Sequence, residues 1–384
     1  MKILVAVTKT KSILSFSVLY LLTLGFLSTT WLPSALGQTR QGWQQKWDRV
    51  LSEAKKEGKV AVWGPPGPNA REALTKGFQK SYPDIAVEFT GGSGSRGSPK
   101  LLRERRAKRF LVDIHIGGTT TILATLRPAG ALDPIRPALI LPEVLDSTKW
   151  LKGKLDYADT KERYNLVFTS AVKIPVAINP KLVKPEEIRS FRDLLDPKWA
   201  GKIAMRDPTG PGPGLATVTH WYAHKALGRE FIRDLFVKQK LILSRNDRQL
   251  LEWVTRGRYA IVISPSELAT KELASKGVHV ELMGADQFKE GSYLTAAFGS
   301  VALINRAPHP NAAKVYINWL LSRDAQTAWA QASGYPSRRL DVPRDQVNPL
   351  SVPKEGRVYQ ENYREKYVRM RGKVRALLRE VVKK

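Results

Sequence analysis

Between residues 59 and 121 the chain alternates short apolar runs, glycine-rich loops and helical stretches three times over. That alternation restricts it to an α/β architecture with a mainly parallel sheet. The first run, Lys59-Val60-Ala61-Val62-Trp63, reads as a buried strand closed by Gly64-Pro65-Pro66-Gly67-Pro68. A helix over 70–80 and a strand over 85–89 follow. A Gly/Ser loop over 91–98 leads into a basic helix at 99–109, and a third strand, 111–116, ends in Gly117-Gly118-Thr119-Thr120-Thr121. All three loops leave the carboxyl ends of strands, where such sheets place their ligands. Ahead of the first strand, Trp43, Trp47, Val50, Leu51 and Ala54 mark one helical face that stops at Gly58.

The pattern returns after a proline-rich connection at 128–142. Strands are predicted at 166–168 and 172–178, the latter stopped by Asn179-Pro180. A short helix or turn covers 191–199 and a strand 202–205. Helices are expected at 215–227, 229–239 and 247–256, then a strand at 259–263 and a helix at 266–276. A strand over 296–303 precedes a late helix from Pro310, whose Ala312, Val315, Tyr316, Trp319 and Leu320 share one face. No internal repeat at solenoid spacing is present.

The N-terminus has the make-up of an export signal. Lys2, Lys9 and Lys11 precede an apolar run over 13–32, and Ser34-Ala35-Leu36-Gly37-Gln38 offers small residues three and one before a cut after Gly37. A retained membrane anchor is the rival reading; the small-residue site and the polar segment after it favour cleavage. The chain of 384 residues contains no cysteine, which excludes disulfide scaffolds, thiolate metal sites and cysteine nucleophiles. Its formal charge is +28. Removing residues 1–37 takes away three lysines and no acid, so the remaining 347 residues carry +25.

Four segments carry a family resemblance. Phe191-Arg192-Asp193-Leu194-Leu195-Asp196-Pro197-Lys198-Trp199-Ala200-Gly201-Lys202-Ile203 and Ala307-Pro308-His309-Pro310-Asn311-Ala312-Ala313-Lys314 resemble extracellular solute-binding proteins of ABC importers. The branch they resemble is the ferric-iron type of the two-lobed periplasmic binding proteins. The opening, with Ala54-Lys55-Lys56-Glu57-Gly58-Lys59-Val60 inside it, and Leu320-Leu321-Ser322-Arg323-Asp324-Ala325-Gln326 are similar too, in the same order over about 43–340. The resemblance implies a type II periplasmic-binding-protein fold. Each of two α/β lobes would be a mainly parallel sheet flanked by helices, with crossing hinge strands near 165–175 and 295–305 and closure around a ligand in the cleft. It further implies a periplasmic protein, a small-molecule ligand, delivery to an ABC permease in the inner membrane, and no catalysis. On this reading 1–37 is the signal peptide and 38–165 the first part of lobe I. Lobe II covers 166–265, 266–340 returns to lobe I, and 341–384 is a basic C-terminal extension. A monomer with no cofactor and no nucleic-acid partner is expected.

Candidate ligand residues sit at the strand ends. Trp63 and Gly64 close the first strand. Gly92-x-Gly94-x-x-Gly97 has the form of a dinucleotide fingerprint, but it follows the second strand rather than the first. A loop of converging backbone N–H groups suits an anion better, which selects Gly92, Ser93 and Ser95. Gly118, Thr119 and Thr120 offer two hydroxyls and an unhindered backbone; helix caps are the alternative. Arg206 begins Arg206-Asp207-Pro208-Thr209-Gly210, where a guanidinium can grip an oxyanion, with Thr209 and Gly210 beside it. The alternative for Arg206 is an ion pair with Asp207 or another acid. Ser264, in Ser264-Pro265-Ser266, stands where the ferric branch has adjacent tyrosines, and no Tyr-Tyr pair exists in the chain. A ferric ion wants hard oxygen donors, so the ligand expected here is an organic anion or oxyanion. Ser292, Tyr293 and Thr295 are further candidates. Direct iron or iron-chelate binding, a ligand-sensing protein feeding a membrane receptor, and a secreted hydrolase remain the alternatives.

His220 and His224 lie four apart on a helix, a metal-compatible spacing, but no third ligand is evident; they are read as two half-exposed residues. Seven basic residues against one acid fill 96–109, and the segment 357–384 reads as an exposed basic helix. Solvated faces, attraction to anionic lipid, or steering of anionic ligands would each account for that charge.

Overall fold

The computed structural model describes residues 35–382, so the expected export signal falls almost wholly outside the described range. Residues from Gly42 onward form one compact unit. The first part of the chain runs α1 (Ala35–Glu57), β1 (Lys59–Gly64), α2 (Pro68–Ser81), β2 (Ala86–Gly91), α3 (Gly94–Arg106) and β3 (Ile114–Gly117). Then come α4 (Thr119–Thr121), a π-turn (Ile122–Leu126), β4 (Leu132–Asp133), α5 (Pro142–Leu145), β5 (Asp156–Tyr157) and β6 (Leu166–Val167). Beyond β7 (Ala171–Val172) a second sheet begins with β8 (Val176–Ile178), β9 (Ile203–Arg206), α6 (Pro213–Ala223), α7 (Gly228–Lys238) and β10 (Ile242–Ser244). It continues with α8 (Asp247–Thr255), β11 (Ile261–Ile263), α9 (Glu267–Ala274) and β12 (Glu281–Met283). The chain returns through β13 (Tyr293–Thr295), β14 (Ser300–Ile304), α10 (Pro310–Leu320) and α11 (Arg323–Ser333), and closes with β15 (Gln360–Glu361) and α12 (Glu365–Val381). No described helix is long and apolar enough to cross a membrane.

The first sheet orders its strands β2-β1-β3-β14-β6-β5, with β4 on β14; the second runs β10-β9-β11-β8-β12. Each contains a parallel three-strand core, β2-β1-β3 or β10-β9-β11, widened by antiparallel neighbours. β8 and β14 run antiparallel because each arrives from the other lobe with no crossover helix to turn it. A third sheet, β15-β13-β7, joins the lobes: Ala171 pairs with Thr295, Val172 with Leu294, and Tyr293 with Gln360.

Each lobe has its own apolar core. In the first, Val60, Val62, Ile114, Ile116 and Val301 of the sheet meet Leu74, Phe78, Tyr316 and Trp329 of the helices. In the second, Ile178, Ile203, Met205 and Ile261 lie beneath Val218, Trp221, Phe231 and Leu235.

Several local expectations are corrected. The basic helix starts at Gly94 rather than 99, because Gly94 and Gly97 let its first turns press onto neighbouring side chains, with Pro99 inside it. The expected strand 172–178 is two strands in two sheets, broken at 173–175 by the interlobe crossing and Pro175. Thr119, Thr120 and Thr121 are helical rather than loop. Strands β10 and β12 were not anticipated; each is three residues long with only its last residue buried, too short to show a period. The largest correction concerns the C-terminus. The predicted exposed basic helix is α12, whose Val368, Val374, Leu377, Leu378 and Val381 are buried.

Candidate functional site

The carboxyl ends of strands from both sheets face one cavity of about 110 Å³. A single water needs only about 10–15 Å³, so the space suits a small solute. Besides the short α4, the N-termini of four longer helices border it: Ser93 and Gly94 of α3, Gly212 and Pro213 of α6, Asp247 of α8, and Ser266 and Glu267 of α9. Such ends carry positive partial charge and unpaired N–H groups, which favour an anion. A second, more open hollow of about 720 Å³ lies along 152–162 and 358–367. Of its four carboxylates, Glu361 and Glu365 are held by Lys152, Arg364 and Arg127, Asp159 by backbone N–H groups of 163–165, and Glu162 by Arg136 and Lys154, so it offers less unspent chemistry.

Five of the expected residues line the cavity: Ser93, Gly118, Thr119, Thr120 and Arg206. Tyr293 and Thr295 do so too, while Ser292 is buried and donates its hydroxyl to the Lys173 carbonyl at 2.6 Å. Trp63, Gly64, Gly92, Thr209, Gly210 and Ser264 lie outside the lining, and the Ser95 side chain is outside the described set. The fingerprint glycines serve packing. A Cβ on Gly97 would fall 1.5 Å from the Trp63 ring and one on Gly94 2.0 Å from the Thr121 hydroxyl, so these glycines let α3 close on the first lobe. Gly64 similarly meets the Phe89 ring. Thr209 is spent locally, its hydroxyl donating to Asp207 at 2.6 Å and accepting from Arg245.

Arg206 pairs with Asp247 at 3.3 Å, not with its neighbour Asp207, which takes Arg245 at 2.6 Å. Burial raises the Asp247 carboxyl above its ordinary range, and the Arg206 guanidinium acts against that rise. Ser264 is fully buried with positive φ, and its N–H donates to the Pro175 carbonyl. Beside it, Lys173 and Glu267 form a buried ion pair at 2.8 Å, and Lys173 also donates to the Pro265 carbonyl. Tyr335 adds its hydroxyl to Glu267 at 3.1 Å.

Sequence reasoning missed Lys173, Asp247, Glu267, Tyr335, Asn362, Tyr363 and Arg371, all of which line the cavity. Arg371 had a readable signal. It stands within the α12 stripe Val368, Val374, Leu378 and Val381, a cation on a face whose other buried residues after Glu365 are all apolar. His220, read as half-exposed, is buried against the Tyr293 ring 5.2 Å away, and burial pulls its pKa down to about 4. Among the described residues no group of three His, Asp or Glu is placed to hold a metal ion.

The start of α6 fixes Arg206. A Cβ on Gly214 would lie 2.1 Å from the Arg206 carbonyl oxygen and 2.9 Å from that of Asp207. Both are backbone atoms, so no rotamer change relieves the clash. Gly214→Ala is therefore expected to destabilise the protein by about 1–3 kcal/mol. Thermal melting checks this; an unchanged melting temperature would mean that α6 sits further from β9.

Residues 60–335 match the family of bacterial extracellular solute-binding proteins. An uncharacterized protein of Haemophilus influenzae is 25% identical over 296 residues, 73% of this chain and 78% of its own. In structure the chain is similar to the periplasmic binding protein AfuA of Actinobacillus pleuropneumoniae with fructose-6-phosphate bound. The TM-score is 0.68 at 16% identity, covering 85% of this chain and 98% of that one. It is similar also to iron-bound HitA of Pseudomonas aeruginosa, with TM-score 0.66 at 19% identity, covering 84% and 99%. At such identities the structural likeness speaks for the two-lobed fold. With the family match spanning most of the chain, the protein belongs to the bacterial extracellular solute-binding proteins, the substrate-binding components of ABC importers.

Proposed function

We propose that the protein is exported to the periplasm and captures a small organic anion or oxyanion in the cavity between its lobes. It acts as a monomer, makes and breaks no bond, binds no nucleic acid, and hands its ligand to a permease in the inner membrane. The charge balance of the cavity carries this reading. Among the described residues, Lys173, Arg206 and Arg371 line it against two carboxylates, Asp247 and Glu267, each already paired with a cation. Hydroxyls of Ser93, Thr119 and Thr295 supply further polar groups for orientation.

Capture of a ferric ion is the second reading, favoured by Tyr293, Tyr335 and Tyr363 in the lining and by the likeness to iron-bound HitA. Burial raises all three phenols above their ordinary range, which opposes the phenolate form that iron prefers.

A thermal-shift screen of the ligand-stripped protein separates the two. Organic anions, inorganic phosphate, ferric citrate and free citrate form the panel. A ligand at 100 times its dissociation constant adds about 2.7 kcal/mol, a visible rise in melting temperature. A rise with iron alone would replace the anion reading with the ferric one. If Arg206 grips the ligand, Arg206→Ala weakens binding by roughly 1.5–3 kcal/mol, and unchanged affinity removes it from the contact.

A further inference from the structure

The family match ends at residue 335, yet Asn362, Tyr363 and Arg371 line the cavity. All three come from the basic C-terminal segment. That segment leaves α11, pairs as β15 with β13, and donates the Asn362 N–H to the Leu294 carbonyl at 3.0 Å. It is a third crossing beside β7 and β13. Its helix α12 then takes anchors from both lobes. Val368 packs with Ile122, Leu123 and Leu126 of the first, while Val374, Leu377, Leu378 and Val381 enter the core of the second. Arg371 stands between the two sets of anchors.

Arg371 is 3% exposed. One terminal nitrogen donates to the Thr120 hydroxyl and the other to the Asn362 carbonyl at 3.0 Å, while Nε has no partner. Among the described ion pairs none includes Arg371, whereas Lys173 and Arg206 each have an acid. Burial presses its pKa down to about 10, and neighbouring Arg375 adds to the effect. A buried cation without a counter-charge is costly, and this one faces a cavity open to a solute.

We infer that Arg371 seats the carboxylate of a small monocarboxylate solute, which makes the C-terminal segment part of both binding site and hinge. The inference rests on the anion reading above. After its two bonds to protein oxygens the guanidinium keeps one N–H on each terminal nitrogen; with Nε enclosed by protein, it is this terminal pair that a carboxylate would meet with two parallel bonds. One uncompensated positive charge is balanced by one negative charge. A phosphate dianion would leave surplus negative charge beside Asp247 and Glu267. The cavity of about 110 Å³ suits an acid of a few carbons. Because α12 is packed into both lobes, a ligand on Arg371 acts on the element that ties them together.

The test titrates the ligand-stripped protein with pyruvate, lactate and glycerate, and in parallel with malate and inorganic phosphate. Wild type is compared with Arg371→Met and Arg371→Lys. Wild type is expected to bind at least one monocarboxylate, and both variants to weaken that binding roughly ten- to a hundredfold, since lysine keeps the charge but lacks the fork. The ligand-free Met variant is expected to melt at or above ligand-free wild type, because an unpaired buried charge is gone. Equal binding of a monocarboxylate by wild type and either variant overturns the role of Arg371 and leaves the anion reading standing. Binding of phosphate or malate alone overturns the monocarboxylate class. A panel with no binder at all overturns the anion reading and this inference together. If the Met variant melts well below wild type, the Lys variant decides: affinity within twofold of wild type overturns the seat, and a tenfold loss in a folded protein supports it.

Discussion

Deleting residues 365–384 is expected to leave a chain that no longer folds cooperatively. Val374, Leu377, Leu378 and Val381 are buried in the core of the second lobe, and Val368 in that of the first. At about 1.5–3 kcal/mol for each fully buried aliphatic side chain, four such residues contribute roughly 6–12 kcal/mol. That is comparable to the whole stability of a typical domain, about 5–15 kcal/mol. The truncation also strips Arg127 of Glu365, to which it is bound at 3.0 Å. A milder form of the same test is Leu377→Ala, expected to cost about 2–5 kcal/mol through the lost contacts and the cavity left behind. Circular dichroism melts of both proteins check this. A truncated chain that melts as sharply and as high as the full one would show α12 to be an appendage.

That helix marks where the sequence stopped being legible. Its charge is plain in one dimension, with Lys366, Arg369, Lys373 and Arg379 crowding the eye. The residues that decide its burial are five aliphatics at helical spacing, and they are outnumbered by the basic residues around them. Long basic side chains keep their heads in water while the opposite face packs, so composition alone cannot separate a solvated helix from a buried one. By contrast, the βαβ units around β1, β2 and β3 were readable because apolar runs, glycine stops and helical spacing agree there. The three-residue strands β10 and β12 carry too few residues for any period, and only pairing across the sheet defines them.

For the site, the general rule that ligands bind beyond strand ends was enough to select Ser93, Gly118, Thr119, Thr120 and Arg206. The rule could not distinguish loops that reach the cavity from those that turn aside, as Thr209 does when Asp207 and Arg245 claim it. Nor could it find Lys173, Glu267 or Arg371. These come from a hinge, a helix start and the C-terminus, 94 and 104 residues apart in succession, and no local pattern links them. The partner of Arg206 shows the same limit: the sequence offered Asp207 or another acid, and Asp247, distant in the chain, is the acid that meets it in space.

Breaking the hinge ion pair is the other large effect. Lys173 lies on the crossing between β7 and β8, and Glu267 at the first position of α9; both side chains are 4% exposed. Glu267 is fully engaged. One oxygen accepts from Lys173 and from the Ile174 N–H at 3.1 Å, and the other from Lys173 and from Tyr335. Glu267→Ala leaves a buried ammonium, an amide and a phenol without that carboxylate, and is expected to cost about 3–5 kcal/mol, the range for one-sided removal of a buried pair. Replacing both partners behaves differently. Lys173→Met with Glu267→Leu removes the charges together, so most of the loss should be recovered, because desolvating two ions offsets much of their attraction. Denaturant melts of the two single variants and the double variant give the coupling directly. Additive losses would mean that the pair is loosely held and solvated. Recovery in the double variant would identify the pair as a device for position rather than stability, one that fixes the crossing strand against α9 at the cavity wall.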